Sequence, residues 1–249
     1  MSQAALLEFD WPLPRGVRAA FTTRLGGASA APCDSFNLGT HVSDAPTAVA
    51  ANRSRLRELL ELPAEPAWLN QVHGADVVNL DAVVASAPVT ADAAVTRAAG
   101  CACAIMVADC LPVLFAARDG RRIGAAHAGW RGLAAGVLEN TVAALDVPAG
   151  ELTAWLGPAI SQKHFEVGED VRAAFTASDA GAAAHFTANS RGRWQADLVG
   201  LARRRLAMLG VDDVHGGTWC TFADRERFFS FRRDGRGGRM AALIWKSDP

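Results

Sequence analysis

Between residues 68 and 117 the chain is a series of short apolar runs rich in valine, separated by Gly, Asp, Asn and Pro. Runs of this length, punctuated in this way, predict successive β-strands. Two of them, 102–107 and 113–116, flank Asp109-Cys110-Leu111-Pro112, and a third, 122–127, runs into Ala128-Gly129-Trp130-Arg131-Gly132. Beyond it Leu133, Val137, Thr141, Ala144 and Leu145 form a stripe at helical spacing. His127 is therefore expected where a strand hands over to a helix.

The remaining segments surround this strand-rich centre. Residues 17–23 predict a strand leading into a turn at Arg24-Leu25-Gly26-Gly27. Ser43 and Asp44 are candidate caps for a helix with Pro46 in its first turn, apolar at Val49, Leu56, Leu59 and Leu60, and stopped by Pro63. A strand is expected at 152–156, a helix at 168–175, a peripheral helix or mobile loop at 176–190, an amphipathic helix at 198–209 and a closing strand at 240–245. Arg203-Arg204-Arg205 reads as the wet face of its helix, and Gly235-Arg236-Gly237-Gly238 as a hairpin turn. With no repeat and no linker, the pattern predicts one α/β (α+β) domain over 1–249, built of mixed β-sheet layers flanked by helices.

With 50% hydrophobic and 20% charged residues, the 249-residue chain can bury a sizeable core. A formal net charge of −1 gives no electrostatic reason to expect a nucleic acid or an anionic membrane as partner, and a small substrate fits better. No apolar stretch is long and unbroken enough to span a bilayer, and the first residues, with Glu8 and Asp10, do not read as a secretory signal. Five cysteines, an odd number, argue for free thiols in a reducing compartment, hence a cytoplasmic protein. Cys101 and Cys103, two apart on one strand, read as core.

Three borderline or soft ligands stand at ends of predicted strands: His73 in Asn70-Gln71-Val72-His73-Gly74, Cys110 and His127. Catalytic zinc commonly takes three protein ligands, imidazole and thiolate among them. Their spacing matches no compact paired-ligand motif, and each taken singly reads as a core residue. Each nonetheless lies beside Gly or Pro, where side chains can converge on a cleft, and Asp109 and Arg131 put charge into otherwise apolar segments.

Phe21-Thr22-Thr23-Arg24, Asn37-Leu38-Gly39, Asn70-Gln71-Val72-His73-Gly74, Ala108-Asp109-Cys110-Leu111-Pro112 and His127-Ala128-Gly129-Trp130-Arg131-Gly132 occur together and in order. In this the chain closely resembles the family described as multicopper polyphenol oxidase, or laccase-domain, proteins, regarded as zinc-dependent purine nucleoside phosphorylases. The resemblance extends from about Val17 to the final strand. It implies a fold akin to Cys-His hydrolase and toxin catalytic domains, and a metal triad of His73, Cys110 and His127. It also implies phosphorolysis of adenosine, inosine and S-methyl-5′-thioadenosine, adenosine deamination, and a monomer or homodimer.

Under that resemblance Asp109 is a candidate proton carrier or histidine-orienting group. Arg24 and Arg131 are candidate phosphate holders, since guanidinium matches phosphate in a fork geometry. Asn70 and Gln71 are candidate contacts to base or ribose, and Trp130 or Trp155 could stack on a purine. A laccase needs a histidine-rich multicopper centre, whereas only the scattered His41, His164, His185 and His215 remain after the triad. Copper is thus expected to be adventitious at the zinc ligands. The alternatives are a copper-dependent polyphenol oxidase and a Cys-His amidase that pairs Cys110 with His127 and edits a nucleotide-linked peptidoglycan precursor.

Overall fold

Residues Leu111–Ala117 are buried without exception, and their side chains divide by parity: Leu111, Val113, Phe115 and Ala117 enter one apolar cluster, Leu114 and Ala116 another. A strand covered on both faces belongs in the middle of a layered body. The computed structural model, which describes residues 5–82 and 89–247, places it there. Residues 83–88, inside the run-rich centre, lie outside the described residues.

In chain order the elements are β1 (Val17–Phe21), α1 (Pro46–Leu60), β2 (Ala67–Trp68), β3 (Val77–Asn79), β4 (Ala93–Thr96), β5 (Ala102–Val107), β6 (Leu111–Ala117) and β7 (Ile123–Ala128). Then come α2 (Trp130–Ala134), α3 (Val137–Leu145), β8 (Leu152–Leu156), β9 (Glu166–Val167), α4 (Glu169–Thr176), β10 (Phe186–Ala188) and β11 (Trp194–Ala196). The chain closes with α5 (Leu198–Leu209), β12 (Asp213–Gly216), α6 (Phe231–Asp234) and β13 (Met240–Lys246).

The strands form a six-stranded mixed sheet in the order β12-β8-β6-β7-β4-β3, a four-stranded mixed sheet β1-β13-β5-β2 and a small antiparallel sheet β10-β11-β9. The two larger sheets pack face to face. Leu114 and Ala116 of β6 and Ile123 and Ala125 of β7 meet Cys103, Ile105 and Val107 of β5 and Ala242 and Ile244 of β13. The outer face of the four-stranded sheet carries Ala104, Leu243 and Trp245 and is covered by Leu56 and Leu60 of α1. Residues of α3, α4 and α5, among them Leu138, Phe175 and Leu201, cover the other face of the six-stranded sheet. The result is the expected α/β class: sheet layers between helices. Trp155 lies in this core, stacked on Phe9 with ring centroids 4.2 Å apart, rather than at a ligand site.

Several local expectations are corrected. Neither Ser43 nor Asp44 caps α1. Its N-cap is Ala45, because Asn37 Nδ2 and the Ala45 N–H occupy the Asp44 carboxylate, and Pro46 starts the helix. The stripe after His127 is split in two, since Gly136, at φ 95°, takes a left-handed conformation between α2 and α3. Residues 176–190 hold a 3₁₀ segment, Ala180–His185, and strand β10. Gly235 to Gly238 make no hairpin, because α6 precedes them and β13 pairs instead with β1 and β5. Nor is the arginine triplet a solvated face: Arg203 donates to the Val214 and Gly216 carbonyls, Arg204 pairs with Asp179 and Arg205 with Glu139. All five cysteines are free thiols, and among the described residues no helix is long and apolar enough to cross a membrane.

Candidate metal centre

The antiparallel pairing of β6 with β7 sets Leu111 opposite Ala128 and Pro112 opposite His127. Cys110, just ahead of β6, and His127, near the end of β7, therefore arrive at one end of the sheet. Strand parity aims both toward the four-stranded sheet, as it does Leu114 and Ala125. His73 comes from the loop between β2 and β3 in a left-handed conformation, φ 62°. What holds that loop is Asp92, wholly buried just before β4, whose carboxylate accepts the backbone N–H groups of Val72, His73 and Gly74 at 3.1, 2.9 and 2.7 Å. The same carboxylate takes His127 Nδ1 at 2.8 Å, leaving Nε2 for the triad.

The ligand atoms of His73, Cys110 and His127 lie within 4.8 Å of one another, with His73 Nε2 3.8 Å from Cys110 Sγ. A tetrahedral zinc bound by nitrogen and thiolate has an N···S edge of about 3.6 Å. The donor set, its spacing and the Asp92 brace thus fit a three-ligand metal site with one position open. The backbone is cut to the same shape: a Cβ at Gly129 would stand 2.9 Å from Cys110 Sγ and 3.1 Å from His73 Cδ2. Burial by itself raises the Cys110 thiol, but the adjoining His127 and His73 imidazoles outweigh it and bring the pKa down to about 6. Burial would lower His127, while the Cys110 sulfur and Asp92 carboxylate raise it to about 9. Without metal each of the two groups thus favours the charged form of the other.

The triad opens into a cavity of about 410 Å³, a volume suited to a small-molecule ligand. Trp130, Ile160, Phe165, Leu198 and Phe231 give it apolar walls, and Arg131, Arg232 and Arg239 give it positive charge. Of the residues singled out in the sequence, Asp109, Gln71, Trp130 and Arg131 reach this cavity with the triad. Asp109 orients neither histidine, a task Asp92 performs. It accepts from Thr221 Oγ1 at 2.6 Å, Ser230 Oγ at 3.0 Å and the Arg232 N–H at 2.7 Å, and so ties α6 to the cavity wall. The Gln71 amide is spent on the backbone N–H and carbonyl of Met106.

Arg131 lies with its guanidinium 4.4 Å above the Trp130 ring. Arg24 is not brought to the cavity. Its guanidinium pairs with Asp34, donates to the Arg225 carbonyl and rests on Phe229. Asn70 also stays outside, donating to Thr90. The residues that sequence reasoning missed are Asp92, His41 and Arg239. For Asp92 one signal existed, a single carboxylate ahead of the apolar run Ala93–Thr96; the other two carried none.

Residues 18–247 match the family model described as "Multi-copper polyphenol oxidoreductase laccase". The chain is 55% identical to purine nucleoside phosphorylase PA4543 of Pseudomonas aeruginosa, over 98% of this chain and 99% of that protein. It is 51% identical to purine nucleoside phosphorylase YfiH of Escherichia coli, over 95% and 96%. Among solved structures, Neisseria meningitidis protein NMB0706 superposes with a TM-score of 0.94 at 50% identity, covering 98% of this chain and all (100%) of that one. YlmD of Geobacillus stearothermophilus superposes at 0.87 with 31% identity, covering 98% and 97%. With nearly its whole length matched and its ligand triad assembled, the chain belongs to the multi-copper polyphenol oxidoreductase laccase family, the group that includes YfiH.

Proposed function

We propose that this chain is a zinc-dependent purine nucleoside phosphorylase of the cytoplasm, one catalytic domain over 1–249. Its proposed substrates are adenosine, inosine and S-methyl-5′-thioadenosine, with adenosine deamination as a second activity. The observation that carries the reading is the convergence of His73, Cys110 and His127 at a 410 Å³ cavity with apolar walls and arginines. The relatives named purine nucleoside phosphorylase, 51–55% identical, supply the reaction class.

Phosphorolysis exchanges the C1′–N9 bond of the nucleoside for a C1′–O bond to phosphate, and a proton must reach the departing purine. A metal bound by the triad supplies Lewis-acid chemistry. The chain's own residues do the rest. Asp92 sets the direction of His127 Nε2 and of the His73 loop; the apolar walls accept the purine and exclude water; the Arg239 guanidinium favours the anionic co-substrate. Asp109 keeps α6, with Phe231 and Arg232, against the cavity. The oxidase description asks for a second, histidine-rich centre, but of the other four histidines only His41 lines the cavity: His164 stacks on Phe222, His185 pairs with Asp197 and His215 with Asp213.

One observation favours a second reading. Asp92, His127 and Cys110 lie in the order of a Cys-His-Asp hydrolase array, with the thiol shifted toward thiolate. That array would serve an amidase. Inosine, phosphate and metal analysis separate the two: the phosphorylase forms hypoxanthine and ribose 1-phosphate only with phosphate present, and carries about one zinc per chain. Base release independent of phosphate, or activity in zinc-free protein, overturns the proposal.

A further inference from the structure

Three arginines line the cavity, and the structure treats them very differently. Arg131 is exposed on α2, and its guanidinium makes no hydrogen bond or ion pair among the described residues. Arg232 donates to the Glu166 carbonyl and lies over Phe165. Arg239 alone is built in from every side. Its backbone N–H donates to Asn37 Oδ1 at 2.8 Å and its carbonyl accepts the Leu38 N–H at 3.1 Å. Its stem lies flat on Gly39, where a Cβ would come within 2.8 Å of Arg239 Cγ. Nη1 donates to the Gly237 and Gly238 carbonyls, both at 3.1 Å, which fixes the plane of the guanidinium.

This clamped guanidinium has no carboxylate within ion-pair distance among the described residues, and its Nε and Nη2 carry no hydrogen bond there. Burial pushes its pKa down against the weaker opposing pull of Cys110, Cys33 and Asp109, so its charge is partly stripped of water with no carboxylate in direct contact. His41 faces the cavity beside it: its Cε1 lies 3.4 Å from the same position over Gly39. It too is without a hydrogen-bond partner among the described residues. Although the residue is exposed, partial desolvation and the charges of Arg239, Arg53, His127 and His73 keep this imidazole below its ordinary pKa, and in the neutral ring one nitrogen is an N–H donor.

We propose that Arg239 and His41 form the oxyanion subsite of the cavity, the place where inorganic phosphate is held for attack, and that Asn37-Leu38-Gly39 exists to preorganise it. This rests on the phosphorylase reading for the identity of the anion, and on geometry alone for its location. A rigid, desolvated fork needs no reorganisation when a tetrahedral oxyanion arrives, whereas Arg131 must be ordered first. Arg239 and His41 are thus specificity-determining residues for the co-substrate rather than the purine.

The test compares wild-type protein with Arg239→Gln, Arg239→Lys, His41→Asn and Arg131→Ala, using inorganic phosphate as probe in two measurements. In the first, added phosphate raises the melting temperature of wild type and of Arg131→Ala, and the rise is lost in Arg239→Gln. In the second, the phosphate KM rises about tenfold or more in Arg239→Gln and less in His41→Asn, with the inosine KM within about twofold of wild type. Arg239→Lys keeps the stem and charge without the fork and falls between, which separates anion binding from folding. Loss of the phosphate response in Arg131→Ala with its retention in Arg239→Gln overturns the assignment, as does an equal rise in both KM values. If no nucleoside is phosphorolysed, the melting experiment still decides the anion subsite while the phosphorylase reading alone fails.

Discussion

His127 Nδ1 and the Asp92 carboxylate stand 2.8 Å apart in the core, and that same carboxylate gathers three backbone N–H groups of the His73 loop. One buried side chain thus positions two of the three candidate ligands. Asp92→Asn keeps the shape and removes the charge. It is expected to weaken metal binding about 10–100-fold, read by competition with a chromophoric chelator. Unchanged affinity would show that the triad positions itself.

Cys110→Ala removes one of three ligands, so metal and phosphate-dependent inosine cleavage are expected to disappear together, by elemental analysis and by hypoxanthine release. A variant that keeps its zinc and loses cleavage would instead mark Cys110 as a nucleophile. One that keeps both would remove Cys110 from the site.

Gly129→Ala is a steric probe. Gly129 sits at φ −60° and ψ 156°, which alanine adopts freely, yet the added Cβ falls 2.9 Å from Cys110 Sγ. Metal affinity is expected to drop at least about tenfold, since ligand geometry is disturbed directly. Tight binding in the variant would mean that Cys110 is free to shift.

The metal-stripped protein offers a pH experiment. An ordinary thiol ionises near about 8.5, but the neighbouring imidazoles hold Cys110 at about 6 against the effect of burial. Because the depressed group is thiolate above its pKa, iodoacetamide labelling of Cys110, followed by peptide mass spectrometry, should rise through about pH 6 and level off by neutrality. Metal-loaded protein should be protected. A midpoint above pH 8 would contradict the thiolate–imidazolium pair.

Asp109→Ala strips the acceptor from Thr221, Ser230 and the Arg232 N–H at once. The loss is expected to be about 3 kcal/mol or more in a denaturant titration, with a higher inosine KM as α6 loosens. A change below about 1 kcal/mol would show that the donors find water instead.

Much of the layered body was legible in the residues themselves. The strands at 102–107, 113–116, 122–127 and 152–156 emerged because each is a short, nearly continuous apolar run with a breaker near its end, a local property of the chain. α5 ended where its sequence said it should, at Leu209 before Gly210. His73, Cys110 and His127 were singled out because each stands near Gly or Pro at the end of a predicted strand, and above all because short motifs in order point to a family.

What the chain could not disclose is which distant polar groups meet. Asp92 reads as an ordinary breaker until the pairing of β4 with β7 brings it to His127. Arg24 and Arg239 look alike in sequence. Only the packing of Asp34 and Phe229 against the first, and of Asn37, Gly39 and two carbonyls around the second, makes one a brace and the other a cavity-lining cation. Helices and strands follow from periodicity over a few residues, and so from sequence. A polar side chain's role depends on its desolvation and its partners, which strand register and layer packing decide between residues far apart in the chain.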